Sequence, residues 1–185
     1  MLILASKLLN TPIMGLQTGS QLARTGNAII NPENLQILAY KLKANSFSNE
    51  EMLIRIADIR ELSRIGFIID SGEDFILPTD VIKIKEIIDL DFDILSLKVE
   101  DEKGSKIGKI IDYSLSLADF SVQQLIVKRP FLKSLNDPTL TIHRSQIVAI
   151  NDDTITIRHE KEESPQKRAE KTHNFVPNYI NPFRD

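Results

Sequence analysis

Gly104-Ser-Lys-Ile-Gly-Lys109, continuing as Ile110-Ile-Asp112, has the outline of a phosphate-binding loop, and whether it is one decides the fold. A nucleotide-binding loop reads G-x-x-x-x-G-K-[ST]. Backbone N–H groups of a long glycine-framed turn wrap the phosphates, the lysine reaches the terminal phosphate, and the hydroxyl holds magnesium. Here the glycines stand one residue too close and Ile110 occupies the hydroxyl position. Such a loop also needs a helix behind it to aim its N-terminal dipole, whereas Ile110-Ile-Asp-Tyr-Ser-Leu115 continues with the pattern of a strand. The stretch therefore reads as a β-hairpin, with Gly104 supplying the positive φ of the turn and Gly108 a bulge or tight bend inside the strand.

The same hairpin occurs twice. Gly19-Ser-Gln-Leu-Ala-Arg24 lies over Gly104-Ser-Lys-Ile-Gly-Lys109 at an offset of 85 (104 minus 19). Leu35–Lys41 lies over Val122–Lys128 at 87, and Asp58-Ile59 through Ile69 over Gln146-Ile147 through Ile157 at 88. Three blocks in one order make an internal repeat. Each copy carries short alternating runs separated by turn residues, which predicts strands near 22–30, 35–43, 53–56 and 66–70, then 95–99, 107–117, 122–127, 140–142 and 155–157. Between the copies, Pro78-Thr-Asp80 opens a helix whose Val81, Ile84, Ile87 and Ile88 share one face. From His159 the chain is charged, and it ends on Asn174-Phe-Val-Pro-Asn-Tyr-Ile-Asn-Pro-Phe183, an aromatic and proline-bearing segment suited to docking.

These residues carry a resemblance. Ser6-Lys-Leu-Leu-Asn-Thr-Pro-Ile13 resembles the opening S-x-L-x-G-x-x-V strand of the PRC-barrel family, and Gly104–Asp112 its central G-x-x-[IL]-G-x-[VI]-x-D hairpin. Ile147-Val-Ala-Ile150 with Thr154-Ile-Thr-Ile157 is similar to its closing strands. The second copy keeps both glycines and the Asp, where the first has Ala23 and Asn27. The resemblance implies an all-β chain of two small antiparallel PRC-type β-barrels joined by a short helix, with a C-terminal extended tail. The expected divisions are 1–76 for the first barrel, 77–91 for the linker helix, 92–158 for the second barrel and 159–185 for the tail. Among the family's known uses are the barrel of the photosynthetic reaction centre H subunit and that of ribosome maturation factor M, neither of them an enzyme in its barrel.

Composition narrows the function classes. The chain has 185 residues, 42% of them hydrophobic, enough for a packed core. No apolar run approaches the ~18 residues of a membrane span, and Met1-Leu-Ile-Leu-Ala5 lacks the basic flank and length of a signal sequence. A cytoplasmic location is expected. The absence of cysteine removes disulfides, thiolate metal sites and thiol nucleophiles, and a formal charge of -3 gives no global attraction to nucleic acid. Asp89, Asp91, Asp93 and Glu100 imitate a calcium loop, but Ile94 stands where that loop turns on Gly. His143, His159 and His173 show no metal-ligand pairing, and no G-x-S-x-G elbow occurs. The expectation is a protein without catalytic activity, cofactor or metal.

The candidate contact residues form two groups. Lys128, Arg129, Phe131, Leu132 and Lys133 place three cations around an aromatic at a strand end, and Phe175, Tyr179 and Phe183 punctuate the tail. The favoured reading is an adaptor or scaffold that binds another protein through these surfaces, by apolar burial with cationic orientation. RNA or ribosome association is the alternative, since cations around an aromatic also suit phosphate contact and base stacking. A small ligand held between the barrels is a third reading.

Overall fold

At Gly104 the chain turns with φ +76°, and at Gly19 with φ +63°, so both quoted hairpins turn on a left-handed glycine, although the Gly19 N–H reaches back four residues to Gly15 and the Gly104 N–H three to Asp101. A computed structural model describes residues 1–43, 51–130 and 138–158. The first half contributes β2 (Pro12–Gly15), β3 (Ser20–Asn31), β4 (Gln36–Leu42), β5 (Leu53–Arg55), β6 (Glu61–Ser63), β7 (Gly66–Ile69) and β8 (Phe75–Ile76). The second contributes β9 (Lys98–Asp101), β10 (Lys106–Ser116), β11 (Val122–Lys128), β12 (Thr139–His143), β13 (Ile147–Ile150) and β14 (Thr154–Ile157). Ahead of both stand β1 (Leu2–Leu4) and a single helical turn, α1 (Ala5–Leu8), and between them the helix α2 (Ile82–Asp89). Among the described residues no helix is long and apolar enough to cross a membrane.

Two seven-stranded sheets result, in the orders β6-β7-β2-β3-β4-β5-β8 and β12-β11-β10-β9-β14-β13, with β1 added along β10. The expectation of purely antiparallel pairing is corrected. Each sheet holds one parallel pair, β2 with β7 and β9 with β14, because the closing hairpin of each half returns its last strand beside the first in the same direction. Neither strand order closes into a ring of hydrogen bonds among the described residues. Leu95 and Leu97, expected in a strand, lie outside β9. Asp93 Oδ1 accepts from the Leu95 N–H at 3.0 Å and winds 94–96 into a 3-10 turn.

Strand registers give the repeat its true alignment. Ile13 pairs with Ala23 as Val99 pairs with Gly108, and Ile30 pairs with Ile37 as Leu115 pairs with Val122. Ile37 therefore lies over Val122, and the offset through β4 and β11 is 85 (122 minus 37), correcting the 87 expected for that block. Both long strands even break register at matching places, between Ile29 and Ile30 and between Ser114 and Leu115. The three extra residues of the later offset, 88 (155 minus 67), enter between β11 and β12, relative to the connection between β4 and β5. These are the connections that contain residues 44–50 and 131–137.

One apolar core runs through both halves, joining Leu8, Ile13, Ile37, Ile54 and Phe67 to Leu97, Val99, Leu115, Val122 and Ile155. A second, smaller core lies on the outer face of the first sheet, where Ile29, Ala39 and Leu53 meet Ile84 of α2, with Val81, Ile87 and Ile88 beside it. The matching positions of the second half are Ser114, Gln124 and Thr141. There the Ser114 hydroxyl donates to Gln124 Oε1 at 3.1 Å. One outer face is thus written for a helix, while its counterpart carries polar side chains, Ser114 buried, Gln124 half-buried and Thr141 exposed.

The start of the chain crosses over. Leu2, Ile3 and Leu4 pair with Ser116, Leu115 and Ser114, so residues expected in the first unit extend the second sheet. Asp112, the Asp of the quoted hairpin, accepts from the Ser6 hydroxyl at 2.6 Å and from the Ser6 N–H at 3.2 Å, which fixes α1 against β10.

Gly108 sits where β10 shifts register against β9. A Cβ there would fall 2.2 Å from the Lys128 carbonyl oxygen, whereas its counterpart Ala23 is accommodated and buried. Gly108→Ala is expected to lower unfolding free energy by about 3 kcal/mol in urea denaturation, against about 1 kcal/mol for Gly104→Ala, whose only penalty is its positive φ.

Two tyrosines share the core. Tyr40 is buried with its hydroxyl unpartnered among the described residues, and its ring lies 5.7 Å from that of Phe67. Burial pushes its hydroxyl pKa far up, with Tyr113 adding to the shift. Tyr113 is raised by burial as well, with Asp112 and Asp93 contributing. Above about pH 10 an unfolded tyrosine releases its proton while the folded one keeps it, so the unfolded state binds fewer protons and stability falls as pH rises. The expected slope between pH 10 and 12 is up to about 1.4 kcal/mol per pH unit for each tyrosine. Tyr40→Phe should halve it and add about 1 kcal/mol at neutral pH by removing the orphan hydroxyl, as read by denaturation across pH.

Candidate functional site

The halves meet where each long hairpin turns. Gln36, at the start of β4, forms an antiparallel bridge with Ser121, just before β11, and these are equivalent positions of the repeat (121 minus 36 is 85). The Ile37 N–H donates to the Phe120 carbonyl at 2.9 Å, and reciprocally the Val122 N–H donates to the Leu35 carbonyl at 2.9 Å. Leu35 and Phe120 are themselves equivalent, and both adopt the left-handed region, φ +57° and +51°. A pseudo-twofold axis therefore passes through the bridge, and each half presents its turn to the other.

Two grooves follow from that symmetry. The first, about 630 Å³, is walled by Leu117, Ala118, Asp119 and Phe120 from the second half and by Ile56, Ala57, Ile59, Arg60, Glu61 and Leu62 from the first, with Gln36, Ile37 and Leu38 between. The second, about 360 Å³, is walled by Pro32, Glu33, Asn34 and Leu35 against Arg144 and Ile147–Ile150. The residues correspond in register, Leu117 to Pro32 and Arg60 to Val148. The grooves differ because Arg144 reaches across the second, donating from Nη2 to the Asn34 carbonyl at 3.1 Å. Its counterpart in the first is Ile56, which leaves that groove open.

The larger groove has an apolar floor and a charged lip. Phe120 stacks obliquely on Phe67, ring centroids 6.2 Å apart. Asp119 accepts from the Ser121 hydroxyl at 2.7 Å, and hydrogen bonds from Ser121 and Ser116 hold its carboxyl below the usual carboxylate range. Arg60 is paired in bidentate fashion with Asp70, which lowers the Asp70 pKa. Glu61 stands exposed beside them. The lip is charged at neutral pH while the floor offers only apolar side chains, an arrangement that receives apolar groups and orients them.

Of the residues nominated from sequence, Lys128 lies exposed at the end of β11, and Arg129 follows it, its N–H donating to the Pro138 carbonyl at 3.0 Å. Phe131, Leu132, Lys133, Phe175, Tyr179 and Phe183 lie outside the described residues. Neither Lys128 nor Arg129 lines either groove. The groove residues carried no sequence motif. Their one signal was the repeat itself, since turn residues 31–36 and 116–121 occupy the same place in both copies. No group of His, Asp and Glu among the described residues could hold a metal ion. His143 Nδ1 instead lies 2.8 Å from the Ser145 hydroxyl, capping a 3-10 turn. No family model and no curated protein matches the sequence.

Phe120→Ala is expected to cost about 2 kcal/mol, because it removes the ring contact with Phe67 and part of the apolar seal between the halves. Equilibrium denaturation monitored by far-UV circular dichroism measures it. The transition should stay single, since both halves share one core.

Proposed function

We propose that this chain is a tandem PRC-type protein that acts as a non-catalytic adaptor, taking an extended apolar segment of another protein into the larger groove between its halves. The observation that carries the reading is the groove's construction. Its walls come from both repeats, its floor is Ile37, Leu38, Ile59, Leu62 and Phe120, and its lip is Gln36, Arg60, Glu61 and Asp119. A concave apolar surface with a few fixed polar groups at its edge is the general form of a recognition site. The nearby exposed charges steer the encounter more than they add to affinity. The PRC-type assignment rests on the resemblance of Ser6–Ile13, Gly104–Asp112 and 147–157, together with the matched registers of the two halves. An adaptor of this form works in the cytoplasm without cofactor, and the surface at Lys128–Lys133 and the tail residues Phe175, Tyr179 and Phe183 extend the contact beyond the groove.

Ala57 and Ala118 line the groove from opposite halves and are both exposed, so a long side chain at either enters the groove and leaves the core as it is. In affinity purification followed by direct titration of the recovered partner, Ala57→Arg with Ala118→Arg should weaken binding about tenfold or more, which is about 1.4 kcal/mol, with the thermal midpoint unchanged. Undiminished affinity in the double variant would exclude the groove as the docking surface.

A further inference from the structure

Three lysines that are distant in sequence become neighbours on the second sheet. Lys98 of β9 pairs in register with Lys109 of β10, and Lys109 with Lys128 of β11. The row is extended at both ends by a threonine, since Lys98 pairs with Thr154 of β14 and Lys128 with Thr139 of β12. Residues paired across strands project from the same face, and strands lie about 4.8 Å apart. Thr139, Lys128, Lys109, Lys98 and Thr154 thus form one line across five strands, about 19 Å long. The adjoining positions on both sides are buried, Val127, Ile110 and Leu97 on one and Val99 and Ile155 on the other, which obliges the lysine row to face outward; all three lysines are exposed.

An outward row needs polarity, but it does not need one sign. Like charges directly opposite one another destabilise a sheet, and among the described residues none of the three lysines has an ion-pair partner. The first half disposes of the same positions differently. Its counterparts are Pro12, Arg24 and Lys43, and both cations turn onto Asn10. Arg24 donates to the Asn10 carbonyl at 2.9 Å and Lys43 to Asn10 Oδ1 at 2.9 Å. The acidic groups nearest the lysine row in sequence and register are Glu100, two residues along β9, and Asp153, which accepts from the Thr154 hydroxyl at 2.9 Å.

The geometry points to this row as a binding face for the sugar–phosphate backbone of a nucleic acid. Its ligand is a linear array of phosphates lying across the strands, met by three ammonium groups on flexible stems and, at one end, by the Thr139 hydroxyl, the Thr154 hydroxyl being engaged by Asp153. Lysine and threonine are residues that contact phosphates, whereas lysine is depleted at protein–protein interfaces. No aromatic side chain belongs to the row, so bases are not stacked and recognition is independent of sequence. The face shares no residue with the groove of the adaptor reading; of the further contact surface that reading enlists, it takes Lys128 alone.

The test titrates fluorescein-labelled 20-nucleotide single-stranded RNA and DNA into the full chain by anisotropy, between 50 and 200 mM salt. Three phosphate contacts predict a slope of log K against log salt near -2 for single strands. Lys98→Gln, Lys109→Gln and Lys128→Gln together should weaken binding about tenfold or more at the lowest salt and bring the slope toward zero. The three Lys→Arg changes should retain binding. Circular dichroism verifies that both variants are folded. The control changes Lys7, Lys83 and Lys103 to Gln, altering net charge equally elsewhere on the surface, and should bind as wild type. Equal loss in this control would overturn the site, as would tighter binding to poly-glutamate or to phosphatidylserine vesicles than to either nucleic acid.

Discussion

Everything in this molecule is organised around a single antiparallel bridge, Gln36 to Ser121, closed by two reciprocal backbone hydrogen bonds. Equivalent residues of a repeat can bridge one another only across a twofold relation, so this contact fixes how the two sheets face. Leu35 and Phe120 hold positive φ to present their carbonyls to the opposite half. A side chain in the left-handed region costs about 1 kcal/mol or more. That cost persists because the residues are wedged between packed halves, and the reward is a core running through both repeats without a break.

Symmetry in the backbone has been overwritten in the side chains. The outer face bearing Ile29, Ala39 and Leu53 is covered by α2, while its counterpart carries the polar Ser114, Gln124 and Thr141. Arg144 bridges one groove where Ile56 leaves the other open. Each half has kept the strand registers and surrendered a different surface, so two sites that symmetry would make identical now have distinct volumes and charges. Recognition has room to specialise because none of these changes replaces a residue of the bridge, and only Ile56 among them packs on the shared core.

Much of this was legible in the chain. The glycine-framed hairpins, the linker helix and the order of the repeat blocks read directly from residue types, since turns and amphipathic faces are local properties. The offset of the block at β4 and β11 was not, and the reason is specific. A slip of two residues preserves which side chains face the core, so Leu35–Lys41 fits over Val122–Lys128 as comfortably as the true register does, and only the partner strand decides. The parallel pairs were hidden for the same reason, because alternation announces a strand without announcing its neighbour's direction. Leu95 and Leu97 mimicked a strand by alternating, and a single capping carboxylate at Asp93 overrode them. The groove and the lysine row are products of register, and no local pattern announces either.

The crossing of β1 to the far sheet has a consequence in time. Ile3 pairs with Leu115, 112 residues away (115 minus 3). A chain made from its N-terminus therefore exposes that strand edge throughout synthesis of the first repeat. Contacts of such separation are slow to form and close late. The N-terminal strand has no partner until β10 has been made, and a chain stopped short of Ser116 lacks this tie between its two parts.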